Sequence, residues 1–71
     1  MALRVERERV KYPDGRVVYD FQADTTSDLP ALGSKLGRNT VEWGSIAQIV
    51  QADEPTYMTL GSNGTWYPDN D

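Results

Sequence analysis

Gly44-Ser45-Ile46-Ala47-Gln48-Ile49-Val50-Gln51-Ala52-Asp53-Glu54-Pro55-Thr56-Tyr57-Met58-Thr59-Leu60-Gly61-Ser62-Asn63-Gly64-Thr65-Trp66-Tyr67 is the stretch whose reading decides the fold. Ile46 to Val50 is mostly apolar and bounded by turn residues, Asp53-Glu54-Pro55 reads as a turn, and Tyr57 to Leu60 reads as a second strand. Ser62-Asn63-Gly64 then reverses the chain into Thr65-Trp66-Tyr67. A tight hairpin needs residues at positive φ, which Asn tolerates and Gly adopts freely, so Asn63-Gly64 between apolar runs is a strong hairpin signal.

Toward the N-terminus the same logic gives a second hairpin. Leu3 to Tyr12 and Arg16 to Gln22 flank Pro13-Asp14-Gly15, where Pro presets φ and Gly accepts the left-handed position. A four-residue loop, Pro13 to Arg16, pairs Tyr12 with Val17, Val10 with Tyr19 and Arg9 with Asp20. A three-residue loop sets Glu8 against Asp20, and like charges directly opposite are unfavourable, so the first register is expected. One face then carries Val10, Tyr12, Val17, Tyr19 and Phe21, and the other shows Arg7, Arg9 and Lys11. Leu3 and Val5 fall out of phase with Val10 and Tyr12, which implies a bulge or a departing arm near Glu6 to Glu8.

Between the hairpins, Thr25-Thr26-Ser27-Asp28 offers capping side chains ahead of Leu29-Pro30-Ala31-Leu32. Pro30 and Gly33 leave room for one helical turn only, and Leu29, Leu32 and Leu36 are expected to plug an open end of the sheet. Asn39 to Trp43 adds a further short strand. The expected fold is all-β: a small antiparallel sheet or partly open barrel of two hairpins plus one or two extra strands, with at most one short helical turn. One domain spans 1–71, divided into a first hairpin (3–22), a turn and loop (23–38), a second β unit (39–67) and a tail (68–71). Expected core residues are Val10, Tyr12, Val17, Tyr19, Phe21, Ile46, Ile49, Met58, Leu60 and Trp66.

Composition narrows function. A chain of 71 residues removes only about 60% of its unfolded surface from water on folding. It has no cysteine and no histidine, so disulfides, thiolate staples and the usual zinc ligand sets are excluded and no metal or cofactor is expected. Oligomer formation would relieve so marginal a core. Met1-Ala2-Leu3 runs straight into Arg4-Val5-Glu6-Arg7-Glu8-Arg9, which gives no secretion signal or membrane span and points to synthesis in a cytoplasm. The net charge of −4 argues against nucleic-acid binding. Charge is unevenly placed: Arg4, Arg7, Arg9, Lys11 and Arg16 precede Asp20, whereas after Arg38 only Glu42, Asp53, Glu54, Asp69 and Asp71 are charged. Such polarity could guide contact between copies.

Chemical motifs are few. Gly33 to Thr40 lacks the spacing and lysine of a phosphate-binding loop. Asp69-Asn70-Asp71 is only a fragment of a calcium loop, and Asn63-Gly64-Thr65 is a turn before it is a glycosylation acceptor. Glu42, Asp53 and Glu54 could supply paired acids, but nothing sets two of them at catalytic separation. No enzyme is expected. The aromatic residues Trp43, Tyr57 and Tyr67 remain as exposed candidates, since Trp and Tyr offer large apolar area with a polar tip to sugar rings or protein partners. With Arg7, Arg9 and Lys11 they form the expected interface set.

Ser27-Asp28-Leu29-Pro30, Gly44-Ser45-Ile46-Ala47-Gln48-Ile49-Val50 and Tyr57-Met58-Thr59-Leu60-Gly61-Ser62-Asn63-Gly64-Thr65-Trp66 together resemble a small β module of structural proteins in tailed bacteriophages and prophages. Such modules read Asp-Leu-Pro, a Gly-Ser-x-Ala-x-Val strand, a Tyr-x-Leu strand, a Gly turn and a Trp. The resemblance covers residues 27 to 67. It implies a non-enzymatic, virion-associated structural role of head-fibre, decoration or tail type, with contacts to itself or to other virion proteins. It carries over no catalytic or ligand residue. The alternatives from the residues alone are a carbohydrate- or host-receptor-binding module that stacks on Trp43, Tyr57 or Tyr67, and a small inhibitor of a host protein.

Overall fold

A computed structural model describes residues 3–51 and 56–68. Its strands are β1 (Leu3–Lys11), β2 (Arg16–Ala23), β3 (Lys35–Leu36), β4 (Asn39–Val41), β5 (Ile46–Ile49), β6 (Thr56–Leu60) and β7 (Trp66–Pro68), with a single 3-10 turn at Thr26–Asp28. All seven belong to one sheet that curls into an open half-barrel. The expected turn at Asp53-Glu54-Pro55 and the tail beyond Pro68 lie outside the described residues.

Strand β2 is the seam of the sheet. On one edge it pairs with β1 antiparallel. On the other edge its first half pairs in parallel with β4, Arg16 beside Thr40 and Val17 beside Val41, and its second half pairs in parallel with β5, from Asp20 beside Ile46 to Ala23 beside Ile49. Antiparallel pairing extends the sheet from β4 to β3 and from β5 through β6 to β7. The chain thus takes the open-barrel form, with a mixed sheet. Parallel neighbours need a crossover of about a dozen residues or more, and the segment 24–38 provides it, returning the chain to the start of β2. Within that segment, Thr25 and Asp28 form a capping box around the 3-10 turn, and Lys35–Leu36 forms the short strand β3, which the sequence did not announce.

Alternation along β2 assigns the faces. Val17, Tyr19, Phe21 and Ala23 point inward and join Val41, Ala47, Ile49 and Leu60 as the buried core. Leu29, Leu32 and Leu36 pack onto that core as expected, together with Leu3, Met58 and Trp66. The Trp66 indole stands edge-on to Phe21 at 6.4 Å and donates its Nε1 hydrogen to the Pro30 carbonyl at 2.8 Å. A half-buried Trp thereby fastens the crossover segment to the sheet while satisfying its own polar atom.

The first hairpin departs from the expected register. Tyr12 N–H donates to the Arg16 carbonyl at 2.8 Å and Gly15 N–H to the Tyr12 carbonyl at 3.1 Å, so the loop is the three residues Pro13-Asp14-Gly15. The second hairpin is built the same way: Gly61 N–H to Thr65 carbonyl, Gly64 N–H to Gly61 carbonyl. In both, the Asp or Asn before the glycine accepts the N–H two residues on, Asp14 from Arg16 and Asn63 from Thr65. Both glycines take positive φ and no described non-glycine residue does, which is the three-residue loop with a glycine bulge. Asn63 therefore contributes a side-chain acceptor, where the sequence reading assigned it a left-handed backbone.

In an unbroken ladder a three-residue loop would oppose Glu8 to Asp20, and bulges remove that conflict. The ladder slips between Val5 and Arg7 and again between Glu8 and Val10, so Arg7 stands opposite Asp20 and Glu8 opposite Tyr19. The first slip falls in the expected window and the second does not. With Lys11 beside Val17 and Val10 beside Val18, Val10 and Tyr12 move to the outer face, where they are 42% and 39% exposed. Neither belongs to the core. Ile46 is a third correction: its partners Asp20 and Thr59 lie on the outer face, and it is only half-buried.

Where β4 gives way to β5, the β2 edge would lose a hydrogen bond. Ser45, fully buried, supplies it: its Oγ accepts from Tyr19 N–H at 3.0 Å and donates to the Glu42 carbonyl at 2.8 Å. Gly44 makes the turn at φ +90 and donates its N–H to the Leu60 carbonyl.

Candidate functional site on the outer face of the sheet

Among the described residues there is no pocket, no group of three metal-ligating side chains and no helix long and apolar enough to cross a membrane. Pairing registers define the rows of side chains on the outer face of β1, β2, β5, β6 and β7.

One row runs Arg7, Asp20, Ile46, Thr59 and Tyr67, and the next runs Arg4, Gln22, Gln48 and Tyr57. At the β1 end both rows are ionic. Arg7 and Arg9 converge on the Asp20 carboxylate, Arg9 extends to the Gly44 carbonyl at 3.0 Å, and Arg4 pairs with Asp24. Lys11 pairs with Glu8. At the hairpin tip Arg16 stacks over the Tyr12 ring and bonds both Asp14 and the buried carboxylate of Glu42. The hydrogen bond from Arg16 holds the Asp14 carboxyl below the ordinary 3.8 and raises Arg16 in turn. Each basic residue of the first hairpin thus has an acidic partner within the fold. The stripe expected at Arg7, Arg9 and Lys11 does not share one face: the bulges set Lys11 beside Val17 and Glu8 beside Tyr19 on the inner face, while Arg7 and Arg9 reach Asp20 on the outer one, and all three charges are already paired.

At the β7 end the face is uncharged and aromatic. Tyr57 and Tyr67 are 49% and 50% exposed and, by register, diagonal neighbours on adjacent strands. Tyr67 is fixed in place: Asn63 Nδ2 donates to its hydroxyl at 2.7 Å, and its ring lies so close over Gly61 that a β-carbon there would stand 2.8 Å from Cε2. A polar relay reaches Tyr57 from the other side. Arg4 Nε donates to Gln22 Oε1 at 2.8 Å, and Gln22 Nε2 donates to Gln48 Oε1 at 3.2 Å. Gln48 stands directly across from Tyr57 in the β5–β6 ladder.

Trp43, 53% exposed, occupies the β4–β5 turn with its backbone N–H held by Glu42 Oε1. The structure therefore sets Tyr57 and Tyr67 on one face with the Tyr67 ring turned toward Gly61 and Asn63, away from Tyr57, separates both from the basic hairpin, and sets Trp43 on the strand switch. Sequence reasoning missed Gln48, Asn63 and Gly61 as parts of this face. The alternation in Ile46-Ala47-Gln48-Ile49 was the available signal for Gln48, since it opposes Gln48 to the buried Ala47 and Ile49.

Comparison with known protein families, curated proteins and solved structures finds no match for this chain.

Proposed function

We propose that this chain is a non-enzymatic assembly module that works by protein–protein contact, with the virion of a tailed bacteriophage as its setting and either its own copies or other virion proteins as partners. The observation that carries the contact role is β1. From Arg4 to Lys11 the strand is exposed along its whole length, with Val5 on the inner face and Val10 on the outer face both open to solvent. Beyond Leu3, which packs against the core, β1 adds little buried apolar surface, and a partner on its faces would supply that burial. Bulges and alternating charge on an edge strand oppose uncontrolled strand addition, so side chains, including Val5, Val10 and Tyr12, make the contact. The virion setting rests on the resemblance of residues 27 to 67 to phage structural modules.

The test is solution mass by light scattering, joined to co-sedimentation with tailed-phage particles. Self-association or particle binding that is lost in Val5→Asp, Val10→Asp double-substituted protein is the expected outcome. A monomer at micromolar concentration that also fails to co-sediment with any particle refutes the reading.

A further inference from the structure

Resting on the assembly reading and deepening it, we infer that the outer face at the tip of the first hairpin is where two copies of this chain pair, face to face about a two-fold axis. This face holds a second, unfinished apolar centre. Val18 is buried, at 7% exposure, yet it stands apart from the main core, because it points outward between the inward residues Val17 and Tyr19. Its cover comes from the tip itself. Val10 lies beside it in the β1–β2 ladder, and Gly44 passes so near that a β-carbon there would meet Val18 Cγ1 at 3.9 Å. Toward the loop, Tyr12 carries the Arg16 guanidinium 4.6 Å from its ring centroid, and Arg16 holds the buried Glu42 carboxylate. Val10 and Tyr12 remain 42% and 39% exposed, and Trp43, at the rim between Glu42 and Gly44, is 53% exposed.

Charge selects the occupant. The cations of this face, Arg7, Arg9 and Arg16, are matched by the carboxylates of Asp14, Asp20 and Glu42. The face is therefore neutral, although the chain carries a net charge of −4. All of that excess lies elsewhere in the chain, so two copies meet here without the penalty of opposed like charges. A highly charged partner finds no unpaired countercharge on it. Area sets the strength. Val10, Tyr12 and Trp43 present roughly 200–300 Å² between them, enough to mark a contact but small beside about 800 Å² per partner in a standard interface. The dimer is therefore a reversible one. Tyr, Trp and Arg are also the residue types that carry most contact energy, and Asp14 and Glu42 already hold the Arg16 side chain that stacks on Tyr12, so pairing costs little side-chain freedom.

The experiment is light scattering and isotope-filtered NMR on the full chain over about 10–500 μM, with a dissociation constant of about 100 μM or tighter expected. A mixture of labelled and unlabelled chain should give intermolecular NOEs between the Val10 methyls and the Tyr12 ring. Val10→Asp, which sets an unpaired carboxylate on each side of the axis, should weaken pairing by about ten-fold or more. Val5→Asp, on the inner face, should leave it unchanged. Raising salt should not weaken the dimer, because its ions are paired within each copy. A dimer that dissolves as salt rises, that keeps the parent affinity in Val10→Asp, or that is lost in Val5→Asp alone overturns the inference and leaves the assembly reading in place. A chain that stays monomeric throughout yet co-sediments with tailed-phage particles does the same. Should Val10→Asp fail to fold, the parent decides: intermolecular NOEs confined to other surfaces overturn the inference. A monomer that binds no particle overturns both readings.

Discussion

Replacing Ser45 by alanine removes a single oxygen, yet the structure assigns that oxygen two jobs. It accepts the Tyr19 N–H at 3.0 Å and donates to the Glu42 carbonyl at 2.8 Å, at a site with 0% exposure. In Ser45→Ala the Tyr19 N–H, on the buried seam strand, has no water to turn to. Leaving one buried donor unsatisfied costs about 1–3 kcal/mol, and the released Glu42 carbonyl adds to that unless water reaches it. A domain of this size has roughly 4–10 kcal/mol of total stability, so a central loss of about 2 kcal/mol is a large fraction of it. At about 4–8 °C per kcal/mol for domains this small, the melting temperature should fall by about 8–16 °C. The assay is urea unfolding followed by tryptophan fluorescence, with Ser62→Ala at an exposed position as a surface comparison expected to change stability by under about 0.5 kcal/mol. The midpoint should drop in Ser45→Ala while the slope stays constant, because the surface exposed on unfolding is unchanged. A loss below about 0.5 kcal/mol would refute the claim that Ser45 completes the β2 edge.

Gly44 holds φ +90 in the same turn, so Gly44→Ala should cost about 1–2 kcal/mol through backbone strain alone, and an equal or higher urea midpoint would contradict the geometry. Gly61→Ala should expel the Tyr67 ring from its present position, since the new β-carbon would stand 2.8 Å from Cε2; unchanged Tyr67 ring resonances in NMR would exclude that contact. Asp20→Asn removes the carboxylate shared by Arg7 and Arg9, and because the cluster is partly solvated the loss should stay near 1 kcal/mol or less and shrink as salt is raised. A loss independent of salt would argue against an ionic origin. The Asp14 carboxyl, lowered chiefly by the Arg16 hydrogen bond, should titrate below its ordinary 3.8. A depressed folded value means that its stabilising effect is present above the unfolded value and disappears as pH falls through the folded one. A carboxyl ¹³C midpoint at or above 3.8 would remove that prediction.

The elements themselves were legible in the sequence wherever glycine and apolar runs punctuate it. Ile46 to Val50, Tyr57 to Leu60 and the two glycine turns are legible from local chemistry, and the structure places strands at Ile46–Ile49 and Thr56–Leu60 and tight loops at both turns. Register was harder, because turn geometry and charge pairing gave opposite answers for the first hairpin. The loop preference prevailed, and bulges at the Val5–Arg7 and Glu8–Val10 slips absorbed the charge conflict. Sequence spacing alone does not reveal where a ladder will slip, so Val10 and Tyr12 were assigned to the wrong face. Parallel pairing of β2 with β4 and β5 was equally hidden, since it depends on where the crossover segment lands. The aromatic residues of the outer face were visible as types, while Asn63 and Gly61, which orient Tyr67, acquire that role only once strands are laid side by side.

The parallel seam along β2 also divides the folding of this chain in time. The two hairpins with matching turns close over a few residues each, and hairpins of that kind form in about 1–10 μs. The β2–β4 and β2–β5 ladders cannot zip until residues 24–38 have been drawn back across the sheet, an entropic toll that local contacts do not share. Residues that join the seam, Ser45 and Ala47 among them, should therefore govern the rate at which the chain folds. Changes at the hairpin tips should act mainly on how fast it comes apart.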